Sequence, residues 1–94
     1  MPFVGLLTLE LHFPDSRSLK DKRVVLRSLK DRVRKLNVAL AEIDHQDLLQ
    51  RGALAVVAVG SEQYLVERSL ESVVDEVERK GTGVIVSSEI EWLK

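Results

Sequence analysis

The chain has 94 residues, with 14 Lys and Arg against 15 Asp and Glu, a formal charge of −1, 45% hydrophobic residues and no cysteine. That length predicts one domain spanning residues 1–94 with one modest core, and the apolar content excludes a disordered chain. The absence of cysteine excludes disulfides, thiol nucleophiles, cysteine-held zinc and iron–sulfur clusters, and near-neutrality argues against coating nucleic acid by bulk charge.

From Phe3 to Phe13 the pattern alternates. Phe3, Leu7, Leu9, Leu11 and Phe13 fall on one side with Gly5, and Val4, Leu6, Thr8, Glu10 and His12 fall on the other, which predicts a strand. The segment lacks a basic leader and contains Glu10, so it reads as a strand and not as a signal peptide. No apolar run approaches the roughly 20 residues of a membrane helix, so the expected place is the cytoplasm, with no membrane partner. Scarce amides (Asn37, Gln46, Gln50 and Gln63) are a compositional hint of a thermophile source. Pro14 to Arg17 reads as a turn.

Ser18, with Asp21 three residues on, predicts a capped helix start. Leu19, Val25, Leu26, Leu29, Val33 and Leu36 form its apolar stripe, and Asn37 is the expected stop. Val38–His45 is a second strand. The unbroken run Ala53–Val59, between Gly52 and Gly60, predicts a central strand buried on both faces. Ser61 opens a second helix with a core stripe of Val66, Leu70, Val73, Val74 and Val77, ended by Lys80 and a left-handed cap at Gly81. Gly83–Leu93 is the fourth strand. Strict alternation there puts Ile85 on one face with Ser87, Glu89 and Glu91.

The order βαββαβ predicts an α+β, ferredoxin-like sandwich with two helices on one face of a four-stranded antiparallel sheet. The other face is left open. Val4, Leu6, Thr8, Val56 and Ile85 are expected there as an interface for a second copy in a dimer, or for a protein partner.

The two helices differ in charge. Residues 18–36 hold eight basic against two acidic residues; residues 61–80 hold three against six. Lys20, Arg23, Arg27, Lys30 and Arg34 recur at three- and four-residue spacing as one cationic ridge. With Ser18 and Lys22 at the helix start, they are the candidate residues for RNA, ribosome or small-anion binding. The bland alternative is that Glu67, Glu71, Asp75 and Glu78 of the second helix neutralise the ridge, and a charged helix face is usually just solvated.

Other chemistries find less support. RNA-recognition motifs stack bases on central-strand aromatics, and the third strand has none. An acylphosphatase-like phosphate cradle needs glycine in the first loop, and Phe13–Arg17 has none. Glu10, His12, Glu42 and Asp44 are expected to gather at one end of the open face as a polar cluster, without a recognised metal-ligand spacing. No serine sits in a nucleophile elbow. The expectation is a non-enzymatic module with no cofactor and no metal.

The stretch His12-Phe13-Pro14-Asp15-Ser16-Arg17-Ser18-Leu19-Lys20-Asp21-Lys22-Arg23, together with Ala41-Glu42-Ile43-Asp44-His45-Gln46-Asp47, resembles the signatures of the YlxP-like bacterial family of unknown function. The resemblance spans nearly the whole chain. It implies a ferredoxin-like bacterial cytoplasmic domain whose gene lies near translation-initiation and ribosome-maturation genes. It implies no activity. Physically, Lys20, Lys22 and Arg23 ring the first helical turn, where the dipole disfavours cations by a few tenths of a kcal/mol unless an acid or a bound anion answers them.

Overall fold

Alternation and helical stripes resolve into six elements: β1 (Phe3–His12), α1 (Leu19–Arg34), β2 (Ala39–Asp44), β3 (Arg51–Gly60), α2 (Gln63–Arg79) and β4 (Val84–Trp92). The computed structural model describes residues 2–79 and 83–94. The strands form one sheet in the order β2-β3-β1-β4, every neighbouring pair antiparallel. Both helices pack on one side of it, which is the ferredoxin-like arrangement.

The start of α1 is a reciprocal cap. Ser18 is extended (φ −151°, ψ 163°) and its Oγ accepts from Asp21 N at 3.1 Å. Asp21 Oδ2 in turn accepts from Arg17 N at 3.1 Å. One orphan amide of the first turn, Asp21 N–H, and the Arg17 N–H just before the cap are thereby satisfied. At the far end Lys35 N–H reaches Arg32 O and Val33 O, and Asn37 turns the chain at φ 60°. The buried side of α1 is Lys22, Leu26, Leu29 and Val33. Lys22 was expected on the surface; it occupies the inner stripe instead. In α2 the buried stripe is Val66, Leu70, Val73 and Val77, as the spacing predicts. The expected cap at Gly81, with Lys80, lies outside the described residues.

Register fixes which side chains meet the helices. Gly5 pairs with Ala58, Leu7 with Val56, Leu9 with Leu54 and Leu11 with Gly52, and these form the inner surface. Directly paired residues share a face. Val56 therefore belongs to the core, fully buried, and not to the open face where the unbroken run of β3 had left it assignable. The run is apolar because β3 is an interior strand, but only one of its faces is covered. Ala55 and Val57 stay half-buried and Val59 is exposed.

Ile85 is also corrected. The β1–β4 register shifts between Glu10 and Leu11, so that Glu10 pairs with Ser87 but Leu11 pairs with Ile85. Val86 is the extra residue. A bulge of one residue reverses the face of everything beyond it. Ile85 is turned beneath the helices, where it packs on the core, while Ile90 and Trp92 stand opposite Leu7 and Gly5.

Phe13, just past β1, is 1% exposed. Its ring fits between two glycines. A methyl group at Gly52 would lie 2.9 Å from Phe13 Cε2, and one at Gly83 2.9 Å from Phe13 Cε1. Both distances are too short for a real contact, so the absence of side chains there is what admits the ring.

Candidate functional site

The uncovered side of the sheet carries Val4, Leu6 and Thr8 from β1, Ala55, Val57 and Val59 from β3, and Ala39 and Ala41 from β2. These are small or aliphatic, with no aromatic ring. Glu89 and Glu91 of β4 stand opposite Thr8 and Leu6 and form an acidic margin. Of the five residues predicted for this surface, Val4, Leu6 and Thr8 are on it; Val56 and Ile85 are on the reverse.

One end of this face holds a charged cluster. Glu10 Oε2 lies 3.0 Å from His45 Nε2 and 3.3 Å from Arg51 Nη2. His45 has φ 63° and its N–H donates to Asp44 Oδ1 at 2.8 Å. His12 stands opposite Arg51 in the ladder. The predicted polar cluster of Glu10, His12, Glu42 and Asp44 is therefore only partly assembled. Glu10, His12 and Asp44 belong to this end. Glu42, opposite Leu54, points to the helix side and binds Lys30 at 3.0 Å. Arg51 precedes the apolar run Ala53–Val59 and carries no pattern of its own, so only its pairing opposite His12 places it here. His45 joins the cluster from the end of β2. Among the described residues no group of three His, Asp or Glu side chains is placed to hold a metal ion.

The cations of α1 divide into two groups. Lys30 pairs with Glu42, Arg32 with Glu76 at 3.1 Å, and Arg34 with Asp31 at 3.5 Å. Lys20, Arg23 and Arg27 are exposed and form no ion pair among the described residues. The neutralisation expected from Glu67, Glu71, Asp75 and Glu78 is absent among those residues. The helices exchange charge through Arg32 and Glu76, in their C-terminal halves.

Lys22 is different again. It is 2% exposed, and its Nζ donates to His45 O at 2.5 Å and Leu48 O at 2.6 Å. Burial holds its ammonium below the ordinary lysine pKa, while the carboxylates of Glu42 and Asp47 pull the other way. The side chain fastens α1 to the turn after β2. Gln50 Nε2 adds ties to Pro14 O and Ser16 O at 3.2 and 3.1 Å. Beside Lys22 is a cavity of about 260 Å³ lined by Leu19, Arg23, Leu26, Glu42, Gln46 and Asp47. Ser18, the other predicted residue at this helix start, spends its hydroxyl on the cap.

The model of a family described as "Protein of unknown function (DUF503)" matches residues 4–90. The chain belongs to that family. It is 38% identical over 71 residues to the uncharacterized protein YlxP of Bacillus subtilis (strain 168), covering 74% of this chain and 77% of that one. The resemblance read from the S-L-K-D-K-R stretch is thus confirmed. Among solved structures, a C-terminal segment of the alpha subunit of aIF2 from Pyrococcus abyssi superposes with a TM-score of 0.54 at 20% identity. It covers 99% of this chain, which spans half the length of that segment. At that identity the likeness is one of fold.

Proposed function

We propose that this DUF503 protein is a binding module and not an enzyme, that it works in or near translation, and that its open sheet face closes against a second copy. The observation that carries the reading is the face itself: aliphatic and alanine side chains on three adjacent strands, with no helix over them among the described residues. Sheets pack face to face about 10 Å apart through surfaces of this kind. Charges destined for cover must be paired beforehand, because an unpaired buried charge is costly. Glu10 is held in advance by His45 and Arg51. The setting in translation comes from the gene neighbourhood that the family resemblance implies, not from the fold shared with the aIF2 segment.

Sedimentation or light scattering of the purified protein tests this. A concentration-dependent dimer is expected, and Leu6→Glu or Val57→Glu returns it to monomer with unchanged far-ultraviolet dichroism. A strict monomer at high concentration, or a dimer indifferent to both substitutions, removes the reading.

A further inference from the structure

We propose that Lys20, Arg23 and Arg27 bind the phosphate backbone of double-stranded RNA, on the side of the molecule opposite the open sheet face. The three positions lie on one helix face, at spacings of three and four residues. At 1.5 Å rise per residue they make a straight row of about 10 Å. Every other basic residue from Lys22 to Arg34 has an internal partner: Lys22 two carbonyls, Lys30 Glu42, Arg32 Glu76, Arg34 Asp31. These three have none among the described residues. Two of them lie near the positive end of the helix dipole, where a cation is disfavoured until an anion arrives. Phosphate supplies that anion.

A duplex suits the row better than a flexible strand. The backbone positions of the row are fixed, because α1 is fastened by Lys22 to the turn after β2 and by Lys30 and Arg32 to β2 and α2. A duplex presents phosphates already ordered, whereas a single strand must lose freedom to match a fixed line. Single strands regain that loss by stacking bases on aromatic rings. Helix α1 has no aromatic residue, and Phe13 is enclosed in the core. RNA is preferred over DNA because of what adjoins the row. Arg23 forms one wall of the 260 Å³ cavity that also shows Gln46 and Asp47. Their oxygens accept from a ribose 2′-hydroxyl next to a phosphate held on Arg23, and deoxyribose offers no such donor.

Fluorescence anisotropy with a mixed-sequence RNA duplex of about 16 base pairs, the matching DNA duplex and the single RNA strand tests each part. The RNA duplex is expected to bind at least tenfold more tightly than either other probe. Its log affinity should fall with log salt at a slope of roughly −3, one phosphate for each cation. Lys20→Glu with Arg23→Glu and Arg27→Glu should abolish binding, while Arg34→Gln, already paired with Asp31 on its own helix, should alter it less than threefold. All four positions are on the surface, and thermal unfolding confirms the fold. Equal binding of DNA overturns the ribose contact. Equal binding of the single strand overturns the duplex. No binding, or binding that survives the triple substitution, overturns the site. None of these results bears on the dimer, which sedimentation reads separately.

Discussion

Phe13→Ala is expected to lower the unfolding free energy by about 3–5 kcal/mol, the range for truncating a buried aromatic. The ring is bounded on two sides by backbone at Gly52 and Gly83, which has no side chain to swing into the space that truncation leaves. Phe13 also anchors the chain through its N–H, which donates to Gln50 O at 2.9 Å. Urea unfolding measures the effect. Gly52→Ala alone should destabilise by about 1–3 kcal/mol, since its methyl group collides with the ring. Placed in the Phe13→Ala background, the same methyl group enters empty space, and the two losses should sum to less than their separate values. Additive losses would mean that the ring is not confined by Gly52.

Lys22→Met is the second large effect, about 1–3 kcal/mol, because two carbonyls of the turn lose their common donor. Amide hydrogen exchange should accelerate in residues 45–49, the turn that Nζ holds. The pH dependence has a fixed sign. With the folded pKa lowered below 10.5, the unfolded chain binds the proton more tightly than the folded one. Stability contributed at this position therefore rises as pH climbs from the lowered value to 10.5, and is level on either side. The neutral amine keeps two N–H groups, enough for both carbonyls. Because other lysines titrate nearby, the quantity to measure is the difference between wild type and Lys22→Met from neutral pH to about pH 11. A difference that does not grow with pH would show that Lys22 is hydrated in the folded state.

The order of elements and the inner stripe of each helix were legible because periods of two and 3.6 are local properties of sequence. Faces were less so. Strict alternation placed Ile85 outward, and one inserted residue at Val86, set by pairing with β1, reversed it. An unbroken run such as Ala53–Val59 carries no alternation from which to separate Val56 from Val57. Lys22 was read as one of a ring of cations, since nothing in S-L-K-D-K-R says that a turn 23 residues later brings carbonyls to its ammonium. Partnership among charges is likewise non-local. The spacing gave five cations in a row, and only the three-dimensional arrangement shows that Glu42 and Asp31 claim two of them.

Both helices lie on the same side of the sheet, and that has a geometric corollary. Two copies joined back to back turn their α1 rows away from each other, to opposite exteriors of the pair. Such a pair would be a strut between two separate polyanions and not a clip around one. Its avidity would then grow with the local density of RNA helices and gain nothing from lengthening a single isolated one.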